Sequence, residues 1–427
     1  MSRMSICGGR VVDPANAVDE LTDLHIEDGR VLARGLAPEG FHPERTINAK
    51  GCVVCPGLVD LRAKLREPGQ EQKGTIESET RAAAASGITT LCCPPDTQPV
   101  IDTPAVTRMI QERAAAAGSA RVVPLGALTQ GLDGQHLSEM AALLDAGCCG
   151  VSNGRSPMLN FQVMRRAFEY AASFDLTVFI HPEIHDLAND GCAHEGAVAS
   201  RLGLRGIPTA AETVAIAGIL ELIALVGVKA HFCLVSTARG AQLIARARHD
   251  GLQVTADVSG HHLHLSEYDL LDFDDRCHLH PPLRTQRDRD ALRHWLSQDG
   301  IDAICSDHQP HEADAKLAPF PSTASGLSAL ETLLPLSLRL VDDGVLSLPD
   351  MVARLTDRPA QILGVEAGRL DPGRLADICI FDPDAMWIVD TRSMVSMGHH
   401  TPFMGWEMKG RVVYTLLGGR IVHECTS

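Results

Sequence analysis

The chain predicts a TIM-like (β/α)8 barrel carrying a small β-sandwich formed by both chain termini. Three observations lead there. Eight compact apolar runs, most of them separated by helical stretches, fill the middle of the sequence, the rhythm of buried parallel strands and covering helices. Short β-rich runs punctuated by Gly, Asp and Pro occur only at the two ends. Several of the central runs stop at a polar residue, as the active ends of barrel strands do.

In chain order, "MSICGGRVVDP" and "DLHIEDGRVLARG" read as strands and hairpins of the first part of the sandwich, residues 1–55. The barrel, residues 56–365, takes its strands from "GLVDL", "ITTLCC", "RVVPLGA", "GCCGVS", "LTVFIH", "VKAHFCLVS", "LQVTADVS" and "IDAICSD". Helices are predicted at "SETRAAAAS", "TPAVTRMIQERAAAA" and "AAETVAIAGILELIALV". Polar residues end three of the strands: His181 after "TVFI", Ser236 after "CLV" and Asp307 after "AICS". Residues 366–427 return to β character in "ADICIFDP" and "GRVVYTLLGGRIVH" and complete the sandwich. No internal repeat or low-complexity linker interrupts this order.

Composition narrows the function. With 427 residues, 45% hydrophobic and 22% charged, the chain can bury one large barrel core and an appendage. A net charge of −16 opposes nucleic acid or an anionic membrane as the main partner, because both demand a basic surface. No apolar run reaches the length of a membrane span and no signal-like segment opens the chain, so a cytoplasmic protein is expected. The 13 cysteines are scattered through apolar runs, and Cys52 and Cys55 form a CxxC with no second pair to complete a zinc site. They read as buried thiols in a reducing compartment.

Several stretches together resemble the dihydroorotase family of the amidohydrolase superfamily. They are "GLVDLRAKLREPG", "AHEGAVASRLGLRGIPTAAE", "HFCLVSTA", "HPPLRTQRDRDAL", "SDHQPH" and "TPFMGWEMKGRVVYTLLGGRIV". The resemblance runs the length of the chain. It implies reversible hydrolysis of a six-membered cyclic amide, with zinc polarising the carbonyl and activating water while an aspartate moves protons.

The same resemblance places the metal ligands, and here most of them are replaced. A histidine pair on the first strand corresponds to Arg62 and Lys64, and alternation puts both on one face. A guanidinium has no lone pair for zinc. The fourth-strand carboxylate corresponds to Asn153 and the sixth-strand histidine to Leu234. His181 on the fifth strand and Asp307 on the eighth remain. Two protein ligands do not hold a catalytic zinc, so no metal and no cofactor are expected, and His181 and Asp307 are read as remnants. On the substrate side, Arg66 matches the arginine that grips a carboxylate and His311 a substrate-facing histidine. Asp96 and His280 stand where the family has asparagines, and Asp96 is expected to repel a substrate carboxylate. His261 and His262 read as structural.

Three functional classes follow. The first is a noncatalytic dihydroorotase-like protein of pyrimidine biosynthesis that assembles with aspartate transcarbamoylase, as homo- and hetero-oligomer. The second is a cyclic-amide hydrolase with an altered metal site. The third is a small-anion sensor using Arg62, Lys64 and Arg66. The first is preferred. An emptied metal site would leave Asp307 without a counter-charge, so one of the first-strand cations should reach it. Lys64, on its flexible stem, is the favoured candidate, with Leu234 filling space beside His181.

Overall fold

A computed structural model describes residues 3–157 and 160–425. Eight parallel strand positions follow one another around a closed wall. They are Leu58–Asp60, Ile88–Cys93, Arg121–Pro124 continued by Gly126–Ala127, Gly150–Ser152, Thr177–Ile180, Ala230–Phe232, Val254–Ser259 and Ala303–Cys305. Each pairs in parallel with the next, for example Val59 with Thr90, Val151 with Val178, Phe179 with His231 and Val258 with Ile304. The third position bridges the two halves of the wall: Arg121–Pro124 pairs backward with the second strand and Gly126–Ala127 pairs forward with the fourth.

Closure falls just beyond the first and eighth strands. There Ala63 bridges His308 in parallel, the Lys64 N–H donates to the His308 carbonyl at 2.8 Å and the His308 N–H donates to the Arg62 carbonyl at 3.3 Å. The segment carrying Arg62 and Lys64 is therefore stitched to the segment carrying Asp307 by backbone hydrogen bonds before any side chain is considered.

Helices cover the wall where the sequence supplies caps and one apolar face. Ile76–Ala85 starts with a capping box between Thr75 and Ser78. Ala238–His249 starts with the Thr237 side chain accepting from Gly240 N–H, and Gln286–Ser297 with Thr285 accepting from Asp288 N–H. Ala210–Val226 buries Ala211, Ala215, Ile216, Ile219, Leu220 and Ile223, one helical face, and ends at Gly227 in the left-handed conformation. These faces and the strands share one large core that includes Leu91, Val151, Val178, Ile216, Phe232, Val258 and Ile304.

The terminal segments, expected to form a small sandwich, share one eight-stranded sheet. Val53–Pro56, the strand leading into the barrel, is its hinge. It runs parallel to Arg3–Asp13 on one side and antiparallel to Ile378–Ile388 on the other, with Cys55 opposite Cys379. Ile6, Leu24, Ile47, Val54, Ile378 and Leu416 pack together against it. The thirteen cysteines are all free thiols. No described helix is long and apolar enough to cross a membrane.

Candidate functional site: a barrel mouth filled by basic side chains

The first-strand extension, the turn after the fourth strand and the end of the eighth strand meet at the barrel mouth. Arg62, 4% exposed, donates from Nε to Asp307 Oδ1 at 3.0 Å. Gln309 Nε2 donates to the same oxygen at 3.0 Å. Arg155 Nη2 lies 3.7 Å from Asp307 Oδ2, too far for a hydrogen bond but close enough for charge to matter. Asp307 thus sits under two guanidinium groups. Burial works against the charge on Arg62, but Asp307 and Asp96 outweigh it and hold Arg62 above its ordinary value. Arg155 gains less from its neighbours: burial brings it down to about 10.

Lys64 does not reach Asp307 as favoured from the sequence. Its Nζ lies 2.6 Å from Asp96 Oδ2, and Arg62 takes the partner assigned to it. The reason is position. Lys64 is two residues further along the strand extension, beside the loop that follows the second strand, where Asp96 presents the carboxylate. Burial would raise Asp96, but Lys64 and Arg62 together hold it well below the usual carboxylate range. Burial in turn lowers Lys64. Asp96 is consequently a neutralised partner of Lys64, which offsets the substrate repulsion assigned to it from the sequence.

Arg66, in the left-handed conformation with φ 65°, is engaged inside the protein. It donates to the Pro310 carbonyl at 2.9 Å and to Gln70 Oε1 at 3.2 Å, and its Nη2 lies 3.1 Å from His311 Nε2. Burial and Arg66 push the His311 imidazole down to about 3, so it is neutral, and its Nε2 also lies 3.0 Å from the Ser325 carbonyl. Asn153 accepts from Thr129 Oγ1 at 2.7 Å and donates to the Ser156 carbonyl at 3.1 Å, which fixes the turn and aims nothing at a metal.

Leu234 is 2% exposed and also left-handed, with φ 57°. Its N–H donates to Asp257 Oδ1 at 2.6 Å, and Asp257 Oδ2 pairs with His231 Nε2 at 2.8 Å. His231 Nδ1 is taken by Thr255 Oγ1 at 2.8 Å. His231, Cys233 and Asp257 have donor atoms close enough for a metal, but these bonds already occupy both nitrogens and both carboxylate oxygens. Asp307 shares the left-handed backbone, with φ 49°. A non-glycine residue pays on the order of 1–3 kcal/mol for such a conformation, so a strained strand-end backbone persists both at Leu234, whose side chain cannot bind metal, and at Asp307, whose carboxylate is taken by Arg62 and Gln309.

His181 lies at the end of the fifth strand, its ring centroid 5.8 Å from that of His280. His280 Nε2 bonds Glu183 Oε2 at 2.6 Å, and His185 Nδ1 lies 3.3 Å from Glu183 Oε1. Burial, then Arg155, holds His181 well below its ordinary value, and burial lowers His280 as well. Both imidazoles are neutral near pH 7. His181 and Glu183 line a cavity of about 280 Å³ that continues past Arg155 between Phe161, Met164 and Ile219. His261 and His262 are buried on Ser259 Oγ at 3.0 and 2.7 Å, a local network apart from these groups.

Sequence reasoning did not single out Arg155, Glu183 or Gln309. Arg155 alone had a signal: a cation two residues past Asn153, in the strand-end turn where the resemblance calls for an anion. The zinc pair implied by the resemblance does not fit. A guanidinium is ion-paired to Asp307, an ammonium to Asp96, and Leu234 offers no lone pair.

A closed eight-stranded barrel with a polar cluster at its strand ends and a terminal β domain defines the class as a TIM-type α/β barrel protein. Solved structures agree on the fold. An L-hydantoinase (dihydropyrimidinase) from Arthrobacter aurescens superposes with a TM-score of 0.90 at 24% identity, covering 100% of this chain and 97% of that one. A D-hydantoinase gives 0.84 at 22% identity, over 99% and 95%. A family model described as dihydro-orotase-like matches residues 51–239. Proteins named dihydroorotase-like protein from Pseudomonas aeruginosa and Pseudomonas putida are each 51% identical, over 99% and 98% of this chain and 99% of their own. A dihydroorotase of Syntrophotalea carbinolica is 42% identical over 99% of each chain. The chain belongs to the dihydroorotase-like family.

Proposed function

We propose that this protein is a noncatalytic dihydroorotase-like chain of pyrimidine biosynthesis, serving as a structural partner of aspartate transcarbamoylase. The observation that carries the loss of chemistry is the Arg62 guanidinium bonded at 3.0 Å to Asp307. A group with no lone pair and a fixed positive charge stands where a zinc ligand would be needed, against the carboxylate that would serve as ligand and proton carrier. Lys64 on Asp96 and the internal bonds of Arg66 add to this. The two 51% identical relatives carry the qualified name dihydroorotase-like protein, while relatives at 42% identity carry the name dihydroorotase. The partnership rests on the family resemblance and on retention of a whole barrel and terminal sheet around a mouth without a usable zinc pair.

The test has two arms. Purified protein supplied with zinc should not interconvert dihydroorotate and carbamoyl-aspartate above background, and robust zinc-dependent turnover would end the noncatalytic reading. In the native host, the chain should co-purify with aspartate transcarbamoylase catalytic chains in a complex of defined mass. Unchanged transcarbamoylase mass and activity after deletion would end the partnership.

A second reading, a small-anion pocket, is favoured by one observation: Arg62 Nη2 and Arg155 Nε and Nη2 are buried without hydrogen-bond partners. A phosphate or small carboxylate bound at the mouth without turnover, and lost in Arg155→Gln, would carry it.

A further inference from the structure

Losing Leu234 as a ligand does not leave His181 alone. The fifth strand ends in His181-Pro182-Glu183, and the loop before helix Gln286–Ser297 brings His280 against it. One ligand atom from each of His181, Glu183 and His280 lies within 4.8 Å of the other two. His181 brings a buried Nδ1 with no hydrogen-bond partner. Glu183, its side chain 10% exposed, faces imidazoles on both oxygens: His280 on Oε2 at 2.6 Å and His185 on Oε1 at 3.3 Å.

We propose that His181, Glu183 and His280 bind a single divalent ion of the zinc class, with a fourth position turned toward the neighbouring cavity of about 280 Å³. Two imidazoles and one carboxylate are a donor set suited to zinc or cobalt and poor for magnesium or calcium, which take oxygen ligands. Tetrahedral zinc at its usual bond lengths holds ligand atoms about 3.3 Å apart, so the 2.6 Å His280–Glu183 contact has to open by less than an ångström. His185, 52% exposed, supplies either the fourth ligand or the approach to it. The ion would tie the end of the fifth strand to a loop almost a hundred residues later. It shares only His181 with the zinc pair implied by the resemblance. It does not involve Asp307, and it stands whether or not the noncatalytic reading holds. Arg155 is the opposing charge, since its guanidinium lines the same cavity.

The full-length protein, stripped with chelator and reloaded with Zn²⁺ or Co²⁺, is passed through gel filtration and its metal counted. Wild type should retain one equivalent, and Co²⁺ should give the intense visible bands of a four-coordinate site. His280→Ala and Glu183→Gln should each weaken binding at least tenfold while circular dichroism stays unchanged. Arg155→Gln should tighten it several-fold by removing the opposing charge. No retained metal overturns the proposal, as does an equivalent that survives His280→Ala and Glu183→Gln or is weakened by Arg155→Gln. Two equivalents lost in Asp307→Asn but not in His280→Ala also overturn it, and would revive the zinc pair and undo the noncatalytic reading as well. One equivalent with no dihydroorotate turnover supports both.

Discussion

Replacing Arg62 by methionine, which keeps the stem and removes the charge, should be strongly destabilising, and removing Asp307 as well should restore much of the loss. The pair is desolvated: the side chains of Arg62 and Asp307 are 5% and 3% exposed, with Nε and Oδ1 3.0 Å apart. Breaking a buried pair from one side costs about 3–5 kcal/mol, because an uncompensated charge remains. Two partners soften this for Asp307. Gln309 keeps a 3.0 Å hydrogen bond to Oδ1, and Arg155 stays 3.7 Å from Oδ2. The Arg62→Met cost should therefore fall near the lower end, about 3 kcal/mol. In Arg62→Met with Asp307→Asn the Arg62–Asp307 charge pair is gone, Arg155 alone loses a partner at 3.7 Å, and the amide can keep the Gln309 contact, so the two single losses should fail to add by about 2 kcal/mol. Urea unfolding can follow Trp295, which packs against the barrel core; Trp387 and Trp406 pack against a second cluster that includes Leu265, Phe320 and Phe403, and are replaced so that they do not add to the signal. A chain this long can unfold in steps, and the coupling belongs to the barrel transition. Additivity within about 0.5 kcal/mol would refute the argument. So would an equal coupling between Lys64 and Asp307.

Three further outcomes follow from the same geometry. Lys64→Met should couple to Asp96→Asn, but by only about 1 kcal/mol, because those side chains are 17% and 23% exposed and water screens them; no coupling in a denaturation cycle would dismiss that pair. Stability should fall on acidification from about pH 6.5 to 4. Burial holds His262, His264 and His278 at about 4 and His311 at about 3, so the unfolded chain binds more protons than the folded one throughout that window and stability rises with pH. Each of these imidazoles then subtracts on the order of 1 kcal/mol per pH unit. A flat urea midpoint between pH 7 and 5 would contradict this. Restoring only Arg62→His and Lys64→His should leave dihydroorotate untouched in a zinc-supplemented assay, since Leu234 and Asn153 still offer no metal-binding anion or imidazole; turnover in that double variant would show that fewer ligands suffice.

The barrel was legible because its signals are local and redundant. "LTVFIH" and "AICSD" announce buried strands with polar ends, and "AAETVAIAGILELIALV" is the helix Ala210–Val226 residue for residue. That Arg62 and Leu234 offer no lone pair to a metal was legible too, because it is a property of the residue type. What the sequence could not carry was which cation meets which carboxylate. Arg62 and Lys64 lie on one face, and choosing between Asp307 and Asp96 depends on how far each stands from two loops more than two hundred positions apart. Flexibility argued for Lys64; position along the strand extension decided for Arg62. Arg155 reaches Asp307 from a turn whose course no periodicity predicts, and Glu183 meets His280 across 97 positions.

The cations at the mouth do more than occupy space. A zinc site assembled from anionic and imidazole ligands needs metal to balance its charge, and removing the metal alone would leave buried carboxylates unpaired. Here Arg62 and Arg155 share Asp307 while Lys64 takes Asp96, so the balance comes from covalently attached groups that cannot dissociate. The strained turns at Leu234 and Asp307 survive because backbone bonds hold them: Leu234 N–H to Asp257, and the Ala63–His308 bridge that closes the barrel beside Asp307. Charge compensation from within means that Asp307 and Asp96 do not depend on a metal for their counter-charge. His181, Glu183 and His280 stand outside this exchange. None of them is ion-paired to Arg62, Lys64 or Arg155 by the contacts that fill the mouth, which is why a metal can be sought there and not at Asp307.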